Sequence, residues 1–228
     1  PHLSHLLYHK REAGIASGIV NAPDRSFNPQ IDPYLPEKYG PRRHHTIKPK
    51  LKKDLQKRLL LKEDPSVPIL FWPSRLDPIQ KGCSLLADIL FQLINDYSHL
   101  GLQIVMIADG PYQQHFQGIV AYHGISDRIA VQPFSESLSH LGYGGSDFVL
   151  MPSSFEPCGL PQMIGCRYGS LPIAHATGGL KDTVRHLNIH ENTGNGFLFE
   201  HFTTDGFRWA IDQAMEFYQL KPDHKNMI

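Results

Sequence analysis

An excess of charge of either sign is missing from this chain of 228 residues: 22 Lys and Arg balance 22 Asp and Glu, so the formal net charge is zero with the histidines neutral. That excludes a basic nucleic-acid arm, because binding to a phosphate backbone draws on surplus cations. Long apolar runs are missing too. The longest, such as residues 104–108 and 148–151, fall far short of the roughly 20 residues that cross a bilayer as a helix, so no transmembrane helix is expected. Cysteine is scarce: Cys83, Cys158 and Cys166 are odd in number and lack C-x-x-C spacing. This argues against a disulfide framework or a cysteine zinc site and fits reduced thiols in an intracellular protein. The start, Pro1-His-Leu-Ser, has neither an initiator Met nor a basic-then-apolar leader, as expected of a fragment.

Familiar nucleotide motifs are also absent. No G-x-G-x-x-G follows a first strand and no G-x-x-x-x-G-K-[ST] occurs, which removes the main support for a dehydrogenase or a P-loop ATPase. No Asp-x-Asp pair offers a cation bridge to a diphosphate, so any diphosphate chemistry would rely on protein cations. Of the 14 histidines, His2, His5 and His9 could share a helical face, but no Cys or acidic partner completes a metal-ligand spacing. No metal or other cofactor is expected.

What is present is enough apolar material, 41% of residues, for a buried core. From Val67 onward, short β-rich runs alternate with helical patterns, the signature of a parallel sheet covered by helices. Strands are expected at 68–74, 102–108, 128–131, 148–151, 171–174 and 196–199. The intervening helices are expected near 81–97, 112–123, 137–143, 159–168 and from 180, with a last amphipathic helix over 204–218. In the helix near 81–97, Leu85, Leu86, Ile89, Leu90, Leu93 and Ile94 form one apolar stripe. Residues 1–66 differ. Pro23, Pro29, Pro33, Pro36, Pro41 and Pro49 interrupt a stretch that reads as a connector with a strand-like 14–20 and a helix bearing Leu51, Leu55 and Leu59. Nine basic residues between Arg42 and Lys62 read as a solvated helix face. Residues 67–228 then form the Rossmann-like domain.

In open α/β sheets, ligands sit beyond the carboxyl ends of the strands, where loops enter helix N-termini. After the first strand, S-R-L-D-P-I-Q-K-G (74–82) places Arg75 at the strand end and Lys81 at a helix start. The helix dipole disfavours cations there unless an anion lies between them, and a diphosphate would accept hydrogen bonds from both. Two ordinary surface charges are the plainer alternative. In P-S-S-F-E-P-C-G-L-P-Q (152–162), Glu156 precedes Gly159 at an expected helix start. It either caps that helix or contacts a sugar while the Gly159 and Leu160 amides face phosphate. In H-A-T-G-G-L-K-D-T-V (175–184), Gly178-Gly179 either makes a tight turn or lets backbone approach a ligand closely.

Taken together, these loops resemble the carboxyl-terminal half of bacterial glycogen synthases and plant starch synthases, retaining glucosyltransferases of the GT-B architecture. The motifs occur in family order. G-I-V-N-A-P-D-R-S-F-N-P-Q-I-D-P-Y-L (18–35) is similar to the segment entering the second domain, and S-R-L-D-P-I-Q-K-G is similar to the phosphate-binding loop. F-E-P-C-G-L-P-Q-M-I-G-C-R-Y-G-S-L-P-I-A-H-A-T-G-G-L-K-D-T-V (155–184) is the densest match.

The resemblance covers roughly residues 14–219. It implies that Arg75 and Lys81 bind the donor diphosphate, that Glu156 lies by the transferred glucose, and that the Gly159 and Leu160 backbone borders phosphate and ribose. Asn21 would hydrogen-bond the sugar, Phe134 would stack on the base, and Gly178 and Gly179 would shape the donor loop. The donor would be ADP-glucose, with UDP-glucose the alternative. The acceptor would be an α-glucan, and the missing partner the amino-terminal GT-B domain. The location would be cytoplasmic in a bacterium or plastidial in a plant.

The chain departs from the family in four places, one of them Ile107-Ala-Asp-Gly110, which only loosely resembles the Gly-x-Gly-Asp loop. Ala22-Pro23 replaces Gly-[Ile/Val], five residues separate Arg75 from Lys81 where four are usual, and Pro161 offers no N–H. The extra residue is expected to shift Lys81. These departures carry an alternative reading, a non-catalytic or divergent GT-B fragment that binds nucleotide and serves assembly.

Overall fold

Three- to five-residue strands that are apolar at nearly every position leave no face for solvent, so they belong inside a sheet covered on both sides. The computed structural model, which describes residues 3–19, 21–188, 190–191 and 193–220, has that arrangement. Six strands, β1 (Ile69–Trp72), β2 (Gln103–Ile107), β3 (Ile129–Gln132), β4 (Phe148–Met151), β5 (Leu171–His175) and β6 (Phe197–Phe199), form one sheet. Their order is β3-β2-β1-β4-β5-β6 and every pairing is parallel. The chain therefore builds outward from β1 in one direction, then returns and builds outward from β4 in the other. The switch point lies between β1 and β4.

Successive strand residues point to opposite faces, and the two cores divide accordingly. Leu70, Trp72, Ile104, Met106, Phe148 and Leu150 meet α3 (Cys83–Asp96), α4 (Gln113–His123) and α8 (Thr204–Gln219) on one face. Ile69, Phe71, Val105, Ile107, Val149 and Met151 meet α2 (His44–Arg58), α5 (Glu136–Gly145), α6 (Pro161–Tyr168) and α7 (Gly178–Thr183) on the other. The expected Rossmann-like parallel sheet with helices on both faces is what the chain forms. The apolar stripe of α3 is buried in full, from Leu85 to Ile94.

Residues before β1 depart from expectation. Residues 14–19 form no strand, and Val20 lies outside the described residues. A strand requires a neighbour for its backbone hydrogen bonds, and among the described residues no strand of the sheet pairs with this segment. The short α1 (Ser4–Glu12) has no buried residue.

From Pro29 onward the picture changes, because packing runs across position 66 without a break. Leu35, Tyr39, Ile47, Leu51, Leu55 and Leu59 all enter the second core. Pro49 does not break α2; the helix continues through it to Arg58. Burial of Ile47, Leu51 and Leu55 against the sheet-side core outweighs the lost hydrogen bond, a case of packing overriding local propensity.

Nor is the basic face of α2 wholly solvated. Lys52 is buried, donating to Asp147 Oδ2 at 2.6 Å and to the Val67 carbonyl at 2.7 Å. Lys48 donates to the carbonyls of Gly144 at 3.0 Å and Tyr168 at 2.9 Å. The ends of α5 and α6 present carbonyls that their own helices leave unpaired, and a lysine answers them. Asp32, also buried, accepts from His140 Nδ1 at 2.8 Å and from the Tyr168 hydroxyl. This ties the Pro-rich loop to α5 and α6.

Candidate functional site

The loop after β1 rests on the loops of both neighbouring strands. On one side, the Leu76 amide donates to the Asp109 carbonyl at 2.9 Å, and the Tyr112 amide donates to the Leu76 carbonyl at 3.1 Å. On the other, the Ser154 amide donates to the Gln80 carbonyl at 2.9 Å, and the Ser154 hydroxyl to the Ile79 carbonyl at 3.0 Å. Asp77 organises the middle: its Oδ1 accepts the amides of Ile79 at 2.9 Å and Gln80 at 2.7 Å. The Gln80 amide above all, together with that of Ile79, holds the Asp77 carboxyl below its ordinary range. Ile79 projects from this turn to solvent at 80% exposure. Gly82 closes the loop at φ +73°, where a Cβ would lie 2.1 Å from the Pro152 carbonyl oxygen, so only glycine fits.

Lys81 does not stand in the first turn of a helix, as its spacing predicts. The helix begins two residues later, at Cys83. Instead Lys81 reaches across the switch point and donates from Nζ to Glu156 Oε2, both side chains withdrawn from solvent. The Ser153 hydroxyl lies 3.4 Å from the same oxygen. Glu156 caps no helix: its carboxylate is committed to Lys81, and α6 starts at Pro161 with Leu160 as its N-cap. Gly159 therefore precedes the helix, in the left-handed region at φ +72°, rather than opening it.

Gly178 and Gly179 lie close against protein backbone. A Cβ on Gly178 (φ +45°) would lie 2.1 Å from the Glu156 carbonyl oxygen, and one on Gly179 would lie 2.2 Å from that of Cys158. The Gly179 amide donates to the Glu156 carbonyl at 3.0 Å. The glycines admit protein backbone, and in doing so they seat the loop that carries Glu156. His175, at the end of β5, adds a bond from Nδ1 to the Ser153 carbonyl at 2.8 Å.

The remaining candidates lie around this centre. Arg75 is exposed, with Nη2 3.4 Å from Gln80 Oε1. Asn21 is exposed, and its carbonyl lies 4.0 Å from Cys158 Sγ, which brings the entry segment beside the Glu156 loop. Leu160 is exposed. Phe134 lies on the other flank, exposed beyond β3, with its amide donating to Asp109 Oδ1 at 3.1 Å. Asp109 thus links Phe134 to the loop of Arg75, but no direct contact joins Phe134 to Lys81 or Glu156. Asp77, Ser153 and His175 escaped the sequence reading, and Asp109 entered it only through the loosely matching loop at 107–110. Of the three that escaped, only Asp77 carried a signal, an Asx turn before Pro78.

Of the proposed histidine group, His5 and His9 approach with Nε2 atoms 3.4 Å apart, while His2 lies outside the described residues. Among the described residues, no group of three or more His, Cys, Asp and Glu side chains could hold a metal ion. No helix is long and apolar enough to cross a membrane among those residues. All three cysteines are free thiols, with burial pushing Cys83 up to about 12 and Cys166 up to about 11.

The arrangement can be compared with known proteins. Residues 52–227 match the family Glycosyl transferases group 1. The chain is 37% identical over 225 residues to a glycogen synthase of Desulforamulus reducens, covering 96% of this chain and 44% of that protein. It is 39% identical over 215 residues to a glycogen synthase of Exiguobacterium sibiricum, covering 92% and 43%. Among solved structures it is similar to the catalytic domain of starch synthase IV from Arabidopsis thaliana bound to ADP and acarbose. That likeness has a TM-score of 0.86 and 33% identity, and covers 98% of this chain and 46% of the other. The chain thus spans less than half the length of these curated relatives, and its fold matches the carboxyl-terminal domain of a GT-B enzyme. With a matching family region that covers most of its length and the sheet, switch point and loops described above, the chain belongs to the group 1 glycosyl transferases.

Proposed function

We propose that this domain binds the nucleotide diphosphate of ADP-glucose, with UDP-glucose the less favoured donor, and serves transfer of glucose to an α-1,4-glucan end with retention of configuration. The observation that carries the reading is the Lys81–Glu156 pair at the switch point, the place where an open parallel sheet receives its ligand. Glycogen synthase relatives and the ADP-bound starch synthase supply the substrate class.

The chemistry follows from the charges. As the bond between the glucosyl C1 and the phosphate oxygen lengthens, negative charge collects on the departing diphosphate, and cations already in place stabilise that state more than the ground state. Lys81 Nζ has one hydrogen-bond partner among the described residues, Glu156, and so retains donors for a phosphate oxygen. Glu156 offsets the charge of Lys81 and Asp77 balances that of Arg75 within the loop, but the Arg75 guanidinium is exposed and can swing onto the diphosphate. Glu156, held by Lys81, lies where it can face the oxocarbenium-like sugar and accept from its hydroxyls.

In this reading Asn21 borders the sugar, Phe134 takes the base, and the Gly159 and Leu160 backbone borders phosphate and ribose. The second GT-B domain completes the cleft, holds the acceptor and excludes water. No cofactor enters the reaction.

Calorimetric titration with ADP tests donor binding directly, with measurable affinity expected for the chain of 228 residues and loss of most of it in Arg75→Ala. In the enzyme completed by the second domain, Glu156→Gln is expected to lower turnover by about 10² with little change in thermal midpoint, the scale seen when one stabilising group is removed. A destabilised Glu156→Gln with intact specific activity would leave Glu156 structural. Absence of ADP binding at millimolar concentration would instead favour the non-catalytic fragment.

A further inference from the structure

The chain has two tryptophans, and they are treated differently. Trp72 is fully buried in the sheet, whereas Trp209 on α8 is 47% exposed. A single exposed aromatic is ordinary, but Trp209 lines a cavity of about 510 Å³ whose walls are mainly apolar and whose polar members are Lys181, His186, Glu200 and His201. It is also held in place. His186 stacks on the indole, with ring centroids 5.5 Å apart and planes 17° apart. His186 is fixed in turn, because its Nδ1 accepts the Leu198 amide at 3.1 Å. That bond puts the proton of the neutral ring on Nε2.

We propose that this cavity is a second saccharide-binding site, in which a glucosyl unit of an α-glucan lies against Trp209 and its hydroxyls bond Lys181, Glu200 and His201. A pyranose presents a face of C–H groups ringed by hydroxyls, and a fixed aromatic surface with a rim of donors and acceptors complements both parts. The charges favour a neutral ligand, since Lys181 opposes a cation and Glu200 opposes an anion.

The position favours a glucan in particular. α7 carries Gly178 and Gly179 against the Glu156 loop at its start and presents Lys181 to the cavity within the same six-residue helix. A chain held at Trp209 stays close to the donor loops, which raises the effective concentration of chain ends there. The identity of the ligand rests on the glucan reading above, while the site itself rests on the cavity.

The test is calorimetric titration of the complete 228-residue chain with maltoheptaose, beside a titration with ADP. Binding with a Kd in the millimolar range is expected, weakened about tenfold or more in Trp209→Ala and His186→Ala, and held within about threefold in Trp209→Phe, which keeps an aromatic face. ADP affinity should be unchanged in all three, which also reports that they are folded. Lys81→Ala should reverse the pattern, with ADP affinity reduced and maltoheptaose affinity kept. Maltoheptaose affinity that is absent in the parent chain, unaltered in Trp209→Ala, or abolished by Lys81→Ala would overturn the site. Loss of ADP binding with retained, Trp209-dependent maltoheptaose binding would refute the donor reading and leave the cavity assignment standing.

Discussion

Two lysine–carboxylate pairs sit at opposite ends of the same sheet. Lys52–Asp147 lies at the amino ends of β1 and β4, and Lys81–Glu156 lies beyond their carboxyl ends. Burial does not separate them: the side chains are 5% and 15% exposed in the first pair and 12% and 10% in the second. Their further partners do. Lys52 also binds the Val67 carbonyl, and Asp147 Oδ2 also accepts the Ile69 amide at 2.9 Å, so that pair joins α2 to the starts of two strands. Lys81 and Glu156 come from two loops, and among the described residues their side-chain charged groups have one further hydrogen-bond partner, the distant Ser153 hydroxyl. A buried pair whose bonds are spent on backbone is a joint, whereas one that keeps spare donors at the ligand end of a parallel sheet is a site.

The largest effect should follow from breaking the joint. Lys52→Ala leaves Asp147 buried without its cation and is expected to cost about 3–5 kcal/mol in chemical denaturation, the usual penalty for orphaning one member of a buried pair. ADP affinity per folded molecule should be unchanged.

Gly178→Ala comes next. It forces a Cβ at positive φ into the Glu156 carbonyl, with about 1–3 kcal/mol of strain, and because the Glu156 loop must shift, it should weaken ADP binding together with stability.

Asp32 sharpens the comparison on the joint side. Burial alone would raise its carboxyl, but bonds from His140, Tyr168 and the Tyr34 amide outweigh that and hold it below the ordinary range. A depressed folded pKa contributes stability in full above the unfolded value, about pH 4, and loses it as the pH falls through the folded value. Asp32→Asn should therefore cost about 1–3 kcal/mol at neutral pH. Its deficit relative to the parent should shrink below about pH 4 in pH-resolved denaturation.

These two pairs also mark how far the sequence could be read. The sheet was legible because its strands are apolar runs set between periodic helices, and α3 could be drawn from Leu85 to Ile94 by spacing alone. The loops were legible because Arg75, Lys81, Glu156 and the Gly178–Gly179 pair are of residue types that bear chemistry or close approach. What joins them was not. The bond from Lys81 to Glu156 spans 75 residues and that from His140 to Asp32 spans 108, and no local pattern encodes either. Lys48 and Lys52 look like any solvated lysines on a basic helix until α5, α6 and β4 are folded against them. The strand expected over 14–20 did not form over its described residues, 14–19, for the same reason, since a strand-like run becomes a strand only where another edge is available.

The most direct test of the account compares Lys52→Ala and Lys81→Met in parallel, measuring chemical stability and calorimetric ADP affinity on the same preparations. Lys81→Met should cost only about 1–2 kcal/mol, because the loops relax and water reaches the freed Glu156 carboxylate, whose desolvation is then relieved. It should also weaken ADP binding by about tenfold or more, the worth of one charge-assisted hydrogen bond. Lys52→Ala should show the opposite pattern, a large loss of stability with ADP affinity retained. If Lys81→Met unfolds as readily as Lys52→Ala and its folded fraction binds ADP as the parent does, then both pairs are joints and the switch-point loops are not the donor site.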